Sequence, residues 1–360
     1  MKTKQILTIL TILSVSFFVS TSHADDITAT NSGNWSDPTI WGSGTVPGTN
    51  DDADIPAGIN VVVDTNVTVQ FIYDSGTVIM APNSTLDLTE DQAIDTATIL
   101  NATAVGNTVI YSANTFFAKQ TNYYNLVLAN TNYVDLYPPY YPYEDFNNFS
   151  SAAGPTPMTV AGDMTVMGYI KVQQGSGGAP ITIGGNLIIG TNCIWDCSGD
   201  NLTVASNLFI YGLLEDLNGA LGSNYIGGNV TVVGPGVNGW DAATGTGTNG
   251  WDVSDVTTWG VGGSLTNNGF IFGKGYGSIS FDGAGVIAGS NDITIPTMTV
   301  AGNYTVGTTI TLTTNTPTLN GTLTFDIANT NQIIFKTGST NSTLYYSGGL
   351  DVITSGSATE

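Results

Sequence analysis

Carboxylates are the only side chains with catalytic chemistry that this sequence supplies in number. It has 28 aspartates and glutamates, one histidine and six basic residues, all of them lysine. Two carboxylates at a suitable separation are enough for glycoside hydrolysis. The candidate pairs are Asp196 with Asp200, Glu215 with Asp216, and Glu144 with Asp145. Adjacent residues on a strand point to opposite faces, and 28 acids form such pairs by chance, so we predict no catalytic residues.

The N-terminus has the features of a secretory signal peptide. Lys2 and Lys4 precede an apolar run at 6–19, and small residues follow at 22–24. A positive start, a short apolar core and a small-x-small exit predict cleavage after residue 24 and export from the cell. No later run reaches about 18 apolar residues, so we expect no transmembrane segment after cleavage.

Cleavage also removes residues that several kinds of catalytic and metal site require. His23 and two lysines are removed, so the formal net charge changes from −22 to −24. Without histidine, Ser-His-Asp and Cys-His catalysis is excluded, and the common zinc ligand sets are incomplete. Phosphate binding needs a basic surface, so nucleic acid is excluded as a natural partner and an anionic membrane is disfavoured. We expect no cofactor and no metal.

A six-residue repeat organises most of the chain and would have to position any site. It reads small, small, polar, apolar, any, apolar, as in GGNLII at 184–189. The polar positions of its eight copies recur at spacings of 23, 21, 22, 35, 39, 19 and 27 residues. The cluster near 20 is the length of one coil of a β-solenoid, in which each coil stacks on its neighbours. The repeat therefore predicts an all-β fold, a parallel β-helix.

Each copy alternates like a strand with one buried face. Ile181, Ile183, Leu187 and Ile189 share parity and are predicted to point inward. Gly185 has the same parity, which predicts a corner where a side chain would collide with the core. The polar residue that follows each glycine is predicted to point outward and to hydrogen-bond along the solenoid.

Residues 33–64, GNWSDPTIWGSGTVPGTNDDADIPAGINVVVD, resemble the start of the G-eight (eight-glycine) domain and of related bacterial secreted β-helix proteins. The shared elements are Asn34-Trp35, Trp41, Val46-Pro47-Gly48, Asp51-Asp52, and Ile55-Pro56-Ala57-Gly58 before Val61-Val62-Val63-Asp64. The downstream repeats are similar to those of bacterial surface proteins and adhesins. The resemblance implies a right-handed parallel β-helix located outside a bacterial cell. It does not imply one activity, because fold and function separate readily.

These observations divide the chain into three regions. Residues 1–24 are the predicted signal peptide and 25–64 the N-terminal cap region. Residues 65–360 are the predicted β-helix, with loop insertions near 134–157 and 234–258.

The cap region has a structural and a functional interpretation. A solenoid exposes an open core and an unpaired strand edge at its ends, and Trp35 and Trp41 could cover the first coil. The functional alternative is a calcium site, because clustered oxygen ligands suit a hard cation. Its ligands would be Asp51, Asp52 and Asp54.

Two aromatic segments are candidate ligand-binding loops. In VDLYPPYYPYEDF (134–146), prolines stiffen a tyrosine-rich stretch that could stack on sugars or proteins, or could pack onto the solenoid. Two NGWD units place tryptophans in one Gly/Thr-rich loop, where they could clamp a glycan or pin the loop beside Trp259. The candidate ligand-binding residues are Tyr137, Tyr140, Tyr141, Tyr143, Trp240 and Trp251.

Cys193 and Cys197, in CIWDC, are the only two cysteines. An exported protein favours a disulfide between them. Four residues of straight strand would separate them by roughly 13 Å, so the bond requires a bend at 194–196.

The sequence therefore predicts a secreted, non-catalytic structural protein of the cell surface or extracellular matrix, which associates with itself through its ends. The first alternative is an adhesin that binds cell-surface or matrix glycans through the aromatic loops. The second alternative is a carboxylate-dependent polysaccharide hydrolase.

Overall fold

The structure is a computed structural model that describes most of the chain. The described residues are 25–90, 93–113, 118–119, 121–129, 143–145, 157–168, 170–173, 180–197, 201–215, 223–233, 250–253, 257–273, 277–306, 311–319, 322–325, 332–335 and 345–346. The predicted signal peptide and most of the two predicted insertions lie outside them.

The described residues form a three-sided parallel β-solenoid. Every pairing between their strands is parallel, and the only helix among them is the short 3-10 turn Pro38–Ile40. Each coil runs along a first, a second and a third face before the next coil begins beside it. The predicted all-β parallel solenoid is confirmed, and its right-handed winding stays a prediction.

Three ladders of strands build the faces. The strands of the first face are Asp26–Thr28, Asp52–Asp54, Phe71–Tyr73, Tyr143–Asp145, Lys171–Gln173, Ile194–Asp196, Leu213–Glu215, Gly250–Asp252, Phe270–Phe272 and Gln332–Phe335. Those of the second face are Gly33–Asn34, Asn60–Val63, Thr77–Met80, Ile99–Asn101, Met158–Val160, Ile181–Ile183, Leu202–Val204, Ser223–Ile226, Thr258–Val261, Ser278–Phe281 and Tyr345–Tyr346.

Two long strands, Ile293–Val300 and Thr311–Leu319, start on the first face and continue onto the second. The third face is one continuous 12-stranded sheet. Its strands are Val67–Val69, Thr85–Leu88, Thr108–Tyr111, Asn125–Ala129, Met164–Met167, Leu187–Ile189, Leu208–Ile210, Val230–Val232, Leu265–Asn267, Ala284–Gly289, Asn303–Val306 and Thr322–Phe325.

One continuous apolar core fills the space between the faces. Strands on the second and third faces alternate buried and exposed side chains, as the period of two requires. Ile181, Ile183, Leu187 and Ile189 are all buried, which confirms the predicted parity. Residues of the same parity in the other coils are buried as well, so the core is continuous from the coil of Val61 to that of Tyr304.

Glycines occupy the corner between the second and third faces, but the reason differs from the prediction. A Cβ on Gly185 would lie 2.6 Å from the carbonyl carbon of Gly162 and 2.3 Å from Asp163 Oδ1, in the preceding coil. The collision is therefore with the neighbouring corner and not with the core. Coils can stack closely at this corner because the position carries no side chain.

A ladder of polar side chains runs along the same corner, as predicted. Asn186 donates its backbone N–H and its side-chain amide to Asp163 Oδ1, at 2.6 and 3.0 Å. Asn207 donates in the same way to Asn186 Oδ1, at 3.2 and 2.9 Å. The backbone N–H of Asn229 then donates to Asn207 Oδ1, and that of Ser264 to Asn229 Oδ1. Each coil is thus tied to the next by a side chain that also fixes its register.

The cap region closes the first coil. Trp35 and Trp41 are buried and pack edge to face, with ring centroids 5.0 Å apart. The Trp41 indole N–H donates to the carbonyl of Trp35, and that of Trp35 to the carbonyl of Pro47. Trp41 pairs antiparallel with Ala29, beyond the edge of the first strand. The backbone N–H of Gly42 also donates to the carbonyl of Thr28, so the C-terminal end of that strand is covered.

Candidate functional site

Charged residues within the described strands are concentrated on the first face. The strands of the second face contain none, and those of the third face contain only Asp87. The first face carries Asp26, Asp52, Asp54, Glu144, Asp145, Lys171, Asp196, Glu215 and Asp252. Acidic side chains on the strands are therefore concentrated on this face.

Two of these acids form a buried pair on neighbouring coils. Asp196 and Glu215 are direct partners in the parallel register, and they are 0% and 3% exposed. The strands Ile194–Asp196 and Leu213–Glu215 are buried at all three positions, so both sides of the first face are covered here. A substrate has no access to carboxylates in this position. The pair is therefore part of the packing of the covered face.

Sequence reasoning did not pair these two acids. It paired residues that are close in sequence, and Asp200 and Asp216 lie outside the described residues. Glu144 and Asp145 are consecutive residues of one strand, Tyr143–Asp145. The signal for the real pair is the 19-residue separation of Asp196 and Glu215, which is about one coil.

Most of the predicted aromatic loops cannot be placed. Tyr137, Tyr140, Tyr141 and Trp240 lie outside the described residues. Tyr143 begins the strand Tyr143–Asp145 and is the register partner of Lys171 on the first face. Binding by these residues stays a prediction.

Trp251 does not lie on the surface. Its side chain is 0% exposed and packs edge to face against Trp259, with ring centroids 5.2 Å apart. The structure thus shows the alternative in which the tryptophan is pinned beside Trp259. A buried ring offers no surface to a sugar, so Trp251 belongs to the core.

The structure does not contain the predicted disulfide between Cys193 and Cys197, and the bond stays a prediction. The structure has both residues as buried thiols. The intervening residues form the strand Ile194–Asp196, so the bend that the bond requires is absent there. Burial raises the pKa of Cys193 to about 12, and its thiol lies 3.6 Å from the carbonyl oxygen of Gly168.

The aspartates of the predicted calcium site have separate partners. Asp51 accepts the backbone N–H of Gly48, at 2.8 Å, and Asp54 accepts the hydroxyl of Thr28, at 2.9 Å. Burial, followed by the charges of Glu90 and other nearby acids, raises the pKa of Asp52. Within the described residues, no three His, Cys, Asp or Glu side chains are grouped to hold a metal ion.

Two tyrosines and a lysine form a hydrogen-bonded cluster whose role is structural. The hydroxyls of Tyr111 and Tyr123 lie 3.0 Å apart in the core, and that of Tyr123 donates to the carbonyl of Lys119. Lys119 Nζ donates to the carbonyls of Asp95 and Thr96, each at 3.0 Å. Burial raises the pKa of Tyr123 well above its ordinary value and lowers that of Lys119. These hydrogen bonds therefore connect chain segments that are distant in the sequence.

Tyr225 is an exposed aromatic residue that sequence reasoning did not single out. It lies on the second face and is 43% exposed. A Cβ added to its register partner Gly260 would lie 2.7 Å from the ring atom Cδ2 of Tyr225. The ring therefore rests across the next coil, in the space that a side chain at 260 would fill. Its signal in the sequence is weak, because the partner glycine is 35 residues away.

No protein-family model, curated protein or solved structure matches this chain. In the part of the chain that the structure describes, no helix is long and apolar enough to cross a membrane.

Proposed function

We propose that this protein is a secreted, non-catalytic structural element of a cell surface or extracellular matrix, in which solenoids associate end to end. One observation carries the proposal. The solenoid is a continuous column of parallel coils, and Trp35 and Trp41 pack as buried rings in its first coil. Such a column resists bending, because each coil is held to the next by backbone and side-chain hydrogen bonds.

The last described strand of the third face supports a direction for this association. Thr322–Phe325 pairs with Asn303–Val306, and within the described residues it is the last strand of the third face. A parallel strand leaves backbone groups for a further strand, which is how such edges recruit another chain. We expect a second molecule to add at this end and not at the capped end.

Light scattering over a range of concentrations, followed by negative-stain imaging, tests the proposal. We expect mass to increase with concentration and short rods to lengthen along one axis. On the third face, the first apolar residue of each repeat, such as Leu187, donates its backbone N–H to the next coil, and Leu323 has the equivalent position in the last strand. Leu323→Pro removes that donor and should reduce the association more than Leu323→Ala, which keeps it. A monomer of constant mass at all concentrations would overturn self-association.

Glycan binding is the second candidate function. The observation that favours it is the exposed ring of Tyr225 on a face whose strands have no charged residue. No observation favours the hydrolase alternative, because the paired carboxylates of Asp196 and Glu215 are buried.

A further inference from the structure

The second face has a surface unlike the rest of this acidic chain. The whole chain has 28 acids, yet the strands of the second face contain no charged residue. From Met158–Val160 to Ile293–Val300, most of the outward positions of these strands carry small hydroxyl residues instead. In register order, seven successive residues of one column are Thr159, Thr182, Thr203, Tyr225, Gly260, Ser280 and Thr299, and the register continues to Thr318 and Tyr345.

Between Thr159 and Thr299, Tyr225 is the only aromatic residue of that column. Its ring extends along the next coil, because its hydroxyl oxygen lies 3.0 Å from where a Cβ on Gly262 would be. A Cβ on Gly260 would also lie 3.0 Å from Asp282 Oδ2. An exposed ring, a carboxylate oxygen and hydroxyl groups thus lie together at the centre of the column.

This combination selects for a class of ligand. An aromatic face stacks on the apolar side of a sugar ring, while at its edge hydroxyls donate and accept hydrogen bonds and a carboxylate accepts them. Coils are spaced by about 4.8 Å, so hydroxyl groups recur along the column at intervals comparable to one sugar residue. A charged glycan would gain no ion pair from these strands.

We propose that the second face binds an uncharged glycan chain, which stacks on Tyr225 and runs along the hydroxyl column. This inference deepens the second candidate function and does not depend on end-to-end association. It locates binding at a site distinct from the predicted aromatic loops. Gly260 is a positioning residue, because its missing side chain makes room for the ring.

Titration calorimetry with neutral hexasaccharides tests the site. The probes are the hexamers of β-1,4-glucose, β-1,3-glucose, β-1,4-mannose and N-acetylglucosamine, with hexagalacturonate as the charged comparison. We expect at least one neutral hexamer to bind, and hexagalacturonate to bind at least about tenfold more weakly, since the chain is strongly acidic. Failure of all four neutral hexamers to bind would overturn the proposal.

Variants then place the binding on this face. Tyr225→Ala should weaken the affinity for that hexamer about tenfold, which corresponds to the loss of one aromatic stacking contact. The matched control is Tyr211→Ala, because Tyr211 is 37% exposed but lies at a corner before the first face. Equal losses in the two variants would contradict the site.

Gly260→Ala tests whether binding depends on the position of the Tyr225 ring, because the variant keeps the ring but displaces it. The new Cβ would lie 2.7 Å from the Tyr225 ring, so the ring must shift. We expect affinity to fall by several-fold while Tyr225 is retained, and Asp282→Asn to weaken binding through the lost charge-assisted hydrogen bonds. Circular dichroism melts confirm that each variant is folded. Unchanged affinity in Gly260→Ala would show that the ring is not held for a ligand.

These outcomes are independent of those of the structural proposal. Light scattering of the same variants reports association without any glycan. If Tyr225→Ala changed the mass distribution and no neutral hexamer bound, the second face would be a contact between copies of this chain, and the glycan proposal would be wrong.

Discussion

At the residue scale, two aspartates near the capped end have opposite effects on stability. Burial, and then the charges of Glu90, Asp26 and Asp51, raise the pKa of Asp52 above its ordinary value of 3.8. For Asp64, burial acts in the same direction, but hydrogen bonds from Ser36 outweigh it, and the pKa is lowered. Charging Asp52 therefore opposes folding, whereas charging Asp64 supports it.

The pH dependence of two variants checks these signs. The penalty from Asp52 is absent below its unfolded pKa and is complete above its raised folded pKa. Asp52→Asn should therefore raise the unfolding temperature at pH 7 and change it little at pH 3.

The contribution of Asp64 is present above its unfolded pKa and is lost as the pH falls through its lowered folded value. Asp64→Asn should thus lower the unfolding temperature at pH 7. Calorimetric scans at both pH values measure the differences, and shifts of the same sign at pH 7 would contradict the assignment.

Cys193 and Cys197 provide a second check at this scale. Both thiols are buried, and the pKa of Cys193 is raised to about 12, so we expect neither to react with iodoacetamide in the native protein. After unfolding without reductant, mass spectrometry should find both cysteines alkylated. A denatured protein that becomes alkylated only after reduction would confirm the predicted disulfide.

At the element scale, the polar ladder explains why a small-small-polar corner recurs. Asn186 Oδ1 accepts three hydrogen bonds from the next coil: from the Ser206 hydroxyl, the Asn207 backbone N–H and the Asn207 side-chain amide. One side chain therefore satisfies several groups at a corner where the two strands end. This corner sets the register of the coils, in addition to the backbone ladders.

Removing that side chain should destabilise the contact between two coils. Asn186→Ala leaves the Asn207 backbone N–H without its acceptor, so we expect a loss of about 1–3 kcal/mol in the free energy of unfolding. Hydrogen exchange at the Asn207 amide should become faster. Thr182→Ala changes an exposed residue on the second face and is the control, with an expected effect below about 0.5 kcal/mol. Equal exchange at Asn207 in both variants would count against the ladder.

The sequence predicted these elements better than their contacts. Alternation identified Ile181, Ile183, Leu187 and Ile189 as core residues, because a period of two is a local property of a strand. Contacts between coils depend on register across about 20 residues or on an inserted loop. That is why Asp196 was not paired with Glu215, and why Tyr225 was not connected to Gly260. Trp251 illustrates the same limit, since its neighbours in sequence suggested a loop whereas its neighbours in space form the core.

At the scale of the whole molecule, net charge opposes folding. The chain carries 28 acids and six basic residues, and the mutual repulsion of the acids is greatest in the compact state. We expect the unfolding temperature to rise as NaCl is increased from about 10 mM to about 0.5 M, because the salt screens this repulsion. The response should be smaller in an Asp26→Asn/Asp52→Asn double variant. An unfolding temperature that falls with salt would contradict a repulsive balance.

The unequal distribution of charge among the faces also has a consequence for orientation. Nearly all charged residues of the described strands lie on the first face, so these strands give the solenoid a dipole across its long axis. Close to an anionic surface, such a molecule experiences a torque that rolls the first face outward. The second face, whose described strands carry no charge, and the third face, whose described strands carry only Asp87, then turn toward that surface. The same torque gives neighbouring molecules in a layer the same orientation about their long axes before any specific contact forms.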